Sequence, residues 1–137
     1  EATLAVGISP GFNMIFGNIG ENEKTLQKSV NFLLKYDDGA QRRTIRPVTP
    51  YPGCDLYYKA IEDGLLKDVE DFYENKHLNS DLVAVNFTEM TDDQFHDALL
   101  KSNTRLLKNY YSKQKSRVLE QTKHLYEEKD TSFRGFR

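Results

Sequence analysis

The spacing of apolar positions changes part-way along the chain, and the change divides it in two. Phe12-Asn13-Met14-Ile15-Phe16 is a short apolar run between Gly11 and Gly17, too short to fill helical turns, and it reads as a buried strand. The glycine-punctuated turn Gly17-Asn18-Ile19-Gly20-Glu21-Asn22 follows, and then Leu26, Val30, Leu33 and Leu34 recur at helical spacing. Asn22 is placed to cap that helix, with Glu23 in the first turn, where a carboxylate meets the positive end of the helix dipole. Tyr36-Asp37-Asp38-Gly39 ends it. Arg43-Thr44-Ile45-Arg46-Pro47-Val48 reads as a second strand, closed by Pro47, which has no N–H to give to a ladder. Strand, turn, helix and strand in that order make a βαβ unit, which predicts a parallel pair and a right-handed crossover.

From residue 55 onward the pattern is helical. Thr49-Pro50-Tyr51-Pro52-Gly53 is a stiff connector, after which Asp55 caps a short helix over Leu56 to Asp63 that stops at Gly64. A second, acidic helix is predicted from Lys67 to Glu74. Asp81 to Phe87 fits either a strand or an extended loop. Thr91, with Gln94 three residues on, forms a capping box ahead of the longest helical pattern, which runs to about Tyr126. Phe95, Leu99, Leu100, Leu106, Leu107, Tyr110 and Tyr111 are expected to supply its buried face, and residues 130–137 read as a frayed polar tail. The fold class is therefore α/β over residues 1–54 and helical over 55–137.

Composition narrows the function. In 137 residues, 19 Lys and Arg face 21 Asp and Glu, a net charge of −2 that gives no electrostatic case for nucleic acid or an anionic membrane. No apolar run approaches the ~20 residues that span a bilayer. The opening Glu1 to Val6 has neither a basic region nor a long apolar stretch, so no signal peptide is read. Because the chain opens on Glu1 and not on Met, a longer parent or a removed leader is expected. Cys54 is the single cysteine and supports no internal disulfide, and Asn86-Phe87-Thr88 is read as a chance sequon; the expected compartment is the cytoplasm.

Two segments together resemble the radical S-adenosylmethionine superfamily. Phe12 to Glu21, followed by an amphipathic helix, is similar to the fifth barrel strand of that family and its glycine–glutamate turn, apolar-apolar-G-x-P-G-E-T. Arg46-Pro47-Val48-Thr49-Pro50-Tyr51-Pro52-Gly53-Cys54-Asp55-Leu56-Tyr57 resembles the end of the sixth strand and the T-P-Y-P-G-T-x-L-Y segment after it. Ile61 to Leu66 is similar to the G-L-(I/L) helix end of members carrying an N-terminal cobalamin-binding domain, and Met90 to Phe95 to the tail of that subgroup. Ile19, Asn22 and Cys54 depart from the usual Pro, Thr and Thr, which leaves the subfamily open.

The resemblance implies the C-terminal part of a TIM-like partial barrel, belonging to an Fe–S oxidoreductase that generates a 5′-deoxyadenosyl radical. It implies S-adenosylmethionine and a 4Fe-4S cluster as cofactors of the parent, with cobalamin in that subgroup. The family's cluster loop, C-x-x-x-C-x-x-C, is missing here, so the chain by itself is expected to be inactive and to hold no metal. The positions matching the family's adenine wall are Ile15, Phe16, Gly17 and Ile19, then Pro47, Val48 and Thr49; no catalytic residue is assigned. The implied partners are the rest of the parent polypeptide and a substrate that could be a small metabolite, a tetrapyrrole or a lipid. A two-strand sheet cut from a barrel exposes its edges, so the isolated chain is expected to self-associate or to cover an edge with its helical half. The alternative is a non-catalytic helical protein-interaction module.

Other features carry less. Gly17-Asn18-Ile19-Gly20 before a helix could bind phosphate through backbone amides, but no Gly-Lys-Ser/Thr follows, and a plain strand-to-helix turn is preferred. Cys54 is expected to be small and at least half-buried beside the Pro turn. His77, His96 and His124 lack metal-ligand spacing. The acidic clusters, the Tyr57-Tyr58 and Tyr110-Tyr111 pairs, and the basic run Lys108, Lys113, Lys115, Arg117 and Lys123 read as solvated or packing faces.

Overall fold

The computed structural model describes residues 1–132; the end of the predicted polar tail, 133–137, lies outside the described residues. A single turn, α1 (Ala2–Ala5), precedes β1 (Met14–Phe16), α2 (Glu23–Lys35) and β2 (Ile45–Pro47). Then come α3 (Asp55–Glu62), the one-turn α4 (Val69–Asp71), which passes directly into a π-helical turn (Phe72–Lys76), and α5 (Asp92–Glu127). The strands pair in parallel, with Met14 opposite Ile45, Ile15 opposite Arg46 and Phe16 opposite Pro47.

Local chemistry explains the boundaries. The Asn22 side chain accepts from the N–H groups of Lys24 and Thr25, and Thr25 Oγ1 accepts from Asn22 N–H, so α2 starts on a reciprocal box. Thr91 and Gln94 do the same for α5. Strand β1 is shorter than the apolar run that predicted it. Phe12 leaves the ladder because its ring packs edge-on against Phe32 at 5.1 Å and under the Arg43 guanidinium at 5.1 Å. Arg43 likewise is not a strand residue. It turns inward, 6% exposed, and donates to the carbonyls of Pro10 and Tyr36 and to Asp37.

The predicted acidic helix over Lys67 to Glu74 is replaced by α4 and the π turn. Asp68 caps the first turn through Asp71 N–H, while Asp71 accepts from Lys67 N–H and Asn75. The wider turn that follows buries Phe72 completely and stacks the His77 ring on it at 5.1 Å. Residues 81–87 form no strand; this is an irregular connection whose Ala84 and Val85 are buried.

Two apolar clusters result. Phe16 and Ile45 from the sheet, Leu26, Val30 and Leu33 from α2, and Phe95, Ala98, Leu99 and Leu106 from α5 form the larger one. Tyr57, Ala60, Leu66, Phe72, Ala84 and Val85 form the other. The long helix is thus part of the βαβ core. At ~1.5 Å per residue its 36 residues extend about 54 Å, more than this small body can cover. That mismatch corrects the predicted buried face: Leu100 and Tyr111 are 65% and 55% exposed, and Leu107 and Tyr110 are half-buried.

The turn after α2 is strapped to α5. Asn109 donates to Asp37 Oδ2 at 2.5 Å, Lys113 donates to the Asp37 carbonyl, and Gln114 donates to the Gly39 carbonyl. Asp37 is buried and also accepts from Gly39 N–H and Arg43.

Candidate functional site at the carboxyl ends of the strands

Ligands of parallel sheets lie beyond the carboxyl ends of the strands, because the loops leave there and side chains from separate elements converge. Here the loop after β1 and the helix after β2 enclose an open groove of about 600 Å³, lined by Ile19, Asp55, Leu56, Tyr58, Lys59 and Glu62. Ile19 is 57% exposed and supplies one apolar wall. α3 supplies the other, because Tyr57 and Ala60 turn inward and leave Asp55, Tyr58, Lys59 and Glu62 on the outer side. Lys59 donates to Glu62 at 3.1 Å and to Asp63 at 2.7 Å; these bonds, that to Asp63 foremost, raise its ammonium above the ordinary range. The groove therefore has apolar walls and a paired, polar rim, which suits binding better than proton transfer.

The loop above β1 is closed upon itself. The Glu21 carboxylate accepts from Gly17 N–H and Asn18 N–H, both at 2.9 Å, and Asn18 Oδ1 accepts from Ile19 N–H at 2.9 Å. The amides that a phosphate would need already have an acceptor, so the anion-binding reading of this turn loses its donors. Gly17 is required for two reasons: its φ is +103°, and a Cβ there would lie 2.6 Å from ring carbons of Phe95.

Of the seven predicted wall positions, Phe16, Gly17, Ile19, Pro47, Val48 and Thr49 lie at the carboxyl ends of the two strands, whereas Ile15 sits mid-strand and lines a separate cavity with Phe12, Met14, Gln41 and Arg46. Phe16, Gly17, Pro47 and Val48 are buried; the Phe16 ring packs on Phe95 at 5.0 Å, and Val48 N–H donates to the Phe16 carbonyl at 2.8 Å. None of these four lines the groove. Ile15, 57% exposed, and Ile19 present their side chains, and Thr49 is partly exposed. Cys54, expected to be at least half-buried, is exposed, because the Gly53 turn lifts it to the start of α3. The α3 contribution to the groove was missed by the sequence reading. Its signal was the i, i+3, i+4, i+7 series Asp55, Tyr58, Lys59 and Glu62 opposite Tyr57 and Ala60.

Among the described residues no group of three or more His, Cys, Asp or Glu side chains is disposed to hold a metal, and no helix is long and apolar enough to cross a membrane. The donor set of this chain therefore does not fit a cluster held by three thiolates. At the groove Ile19 offers an exposed apolar side chain, the kind of surface on which a flat ring packs. No family model, curated protein or solved structure matches the chain.

The two edges of the sheet are unlike. In a parallel ladder alternate residues turn their peptide groups to the partner, and the Val48-to-Phe16 bond fixes which ones. Met14 and Phe16 face β2, so Ile15 turns N–H and C=O outward. On the far side, Ile45 also turns outward and is met by α5: Asn103 Oδ1 accepts from Ile45 N–H at 2.8 Å, and Asn103 Nδ2 donates to the Ile45 carbonyl at 2.9 Å. Pro47 removes the next donor. The β2 edge is closed, and among the described residues nothing pairs with the outer edge of β1.

Proposed function

We propose that this chain is the C-terminal part of a radical S-adenosylmethionine Fe–S oxidoreductase, in which β1 and β2 are the last strands of a partial barrel. The observation that carries the reading is the unlike pair of edges. The outward peptide group of Ile45 is already paired and Pro47 has no N–H to offer, whereas among the described residues the outward peptide group of Ile15 has no partner, as in a strand whose neighbour comes from earlier in the polypeptide. The sheet face turned away from the helices agrees with it, being exposed apart from the ion pair of Arg46 with Asp81 at 2.9 Å. Parallel strands are ordinarily covered on both faces, yet Ile15 and Arg46 point away from α2 and α5 and stay exposed.

In this reading Ile19 lines the adenine, while Phe16, Gly17, Pro47 and Val48 lie buried at the strand ends and Thr49 is at the rim. The cofactor, once bound to a cluster, supplies the radical; cluster ligands and electron transfer belong upstream, and this chain alone is inactive. The groove between Ile19 and α3 is the adjoining substrate space, with cobalamin left to the domain that the subgroup carries ahead of its barrel.

The test is anaerobic calorimetry of S-adenosylmethionine against this chain and against the full-length parent with its cluster reconstituted. The parent is expected to bind and the chain is not, and Ile19→Asp in the parent is expected to weaken binding about tenfold. An upstream sequence without a C-x-x-x-C-x-x-C loop, or a reconstituted parent indifferent to the cofactor, would sink the proposal.

A further inference from the structure

The outward face of α5 carries an ordered pattern that the core does not use. Counted in sevens, Thr104, Tyr111 and Val118 fall at one position and Leu100 and Leu107 at the position four residues before, the a and d spacing of a helix seam. Leu100, Tyr111 and Val118 are 65%, 55% and 45% exposed. Lys101, Lys108 and Lys115 repeat at the same interval along one flank, with Arg117 on the other. From Lys101 to Arg117 the helix has six cations and no carboxylate. Lys101 is held by Asp97, but Lys108, Lys115 and Arg117 have no ion pair among the described residues. An unpaired basic flank along an apolar seam asks for a partner that brings both apolar side chains and carboxylates.

We propose that the α5 face from Leu100 to Val118, about 28 Å long at ~1.5 Å per residue, docks an amphipathic helix of a separate protein whose flanks are acidic. Charge complementarity selects this occupant over the others. A second copy packed antiparallel sets Lys108 and Lys115 against their own counterparts, and a parallel copy opposes them only with Asn103 and Tyr110. An extended anionic surface would also meet Asp97 and Asp93, which lie on the same face one and two turns before Leu100. The helix meets the closed β2 edge at Asn103, whereas an upstream strand would add at the outward edge of β1. The docking face therefore stands with or without the barrel reading.

The probe is a synthetic helical peptide of about three heptads with Leu and Ile on its seam and Glu on both flanks, followed by fluorescence anisotropy. A matching peptide with Lys flanks is the control. The Glu peptide is expected to bind the chain, more weakly as salt is raised, and the Lys peptide is not. Lys108→Glu with Lys115→Glu should lower affinity for the Glu peptide roughly tenfold and confer binding of the Lys peptide, since reversal turns each attraction into a repulsion. Should the reversed chain fail to fold, Lys108→Gln with Lys115→Gln should lower affinity about threefold while far-UV circular dichroism stays that of the parent chain. The proposal is overturned by equal binding of both peptides or of neither, by phosphatidylserine vesicles that bind while the Glu peptide does not compete, or by a stable dimer that buries this face.

Discussion

Replacing Gly17 by Ala should destabilise the chain through two separable costs. Its φ of +103° is a conformation that L side chains rarely adopt, and leaving it or enduring it costs about 1–2 kcal/mol. The added methyl also meets Phe95, with Cε2 and Cζ each 2.6 Å away. That ring is fully buried against Phe16, so it cannot swing aside, and overpacking of this kind costs about 1–3 kcal/mol more. The expected total is roughly 2–5 kcal/mol. Phe95→Leu separates the terms, because the shorter side chain vacates the space while the backbone cost stays. In that background Gly17→Ala should cost only about 1–2 kcal/mol, a coupling of about 1–3 kcal/mol between the sites. Urea unfolding of the four proteins, followed by far-UV circular dichroism, measures the cycle. Strict additivity would refute the contact, and a cost below about 1 kcal/mol for Gly17→Ala would refute both terms. The same cycle guards the functional reading, since a parent that loses cofactor binding on Gly17→Ala and recovers it with Phe95→Leu has suffered misfolding of the strand ends.

Three further outcomes are expected. Asn103→Ala removes two hydrogen bonds to Ile45 and should cost about 2 kcal/mol in urea unfolding; an unchanged midpoint would mean that the edge is satisfied by water. Arg43→Met leaves the Asp37 carboxylate buried with one charge fewer beside it, and about 3 kcal/mol or more should be lost; Arg43→Lys should recover only part of this, because an ammonium cannot reach Pro10, Tyr36 and Asp37 together. His124 is held above its ordinary 6.5, first by its hydrogen bond to Glu128 and then by that carboxylate's charge. Its contribution to the end of α5 is therefore complete below pH ~6.5 and is lost as pH rises through the raised folded value, and Glu128→Gln should bring the NMR titration of the imidazole back down.

The parts legible in the sequence are those set by local chemistry. Asn22 and Thr91 announce their helices because a cap is decided within a few residues, and Gly17 and Pro47 mark where strands stop for reasons carried by their own backbones. What escaped depends on partners far along the chain. Phe12 reads as a strand residue until Phe32 and Arg43 claim its ring, and Arg43 reads as the start of a strand until Asp37 meets it inside. The π turn follows from burying Phe72 beneath His77, a demand that no helical periodicity encodes. Leu100 and Tyr111 were placed in the core because apolar spacing shows that a helix has a face but not how many faces its surroundings can cover. At the site, the strand ends were readable from glycine and proline, whereas α3 entered the groove through tertiary placement alone.

Asn103 also decides how many neighbours a sheet edge can have. With β2 closed, edge-to-edge association has a valence of one: two copies meeting through β1 use up the one free edge that the described residues leave, and the assembly ends as a pair. Opening β2 raises the valence to two, at which strand addition has no natural end and a filament becomes the favoured product. A single carboxamide reaching across from a helix is thus a chain terminator for sheet growth, and losing it would change the architecture of whatever forms, beyond the stability of what folds.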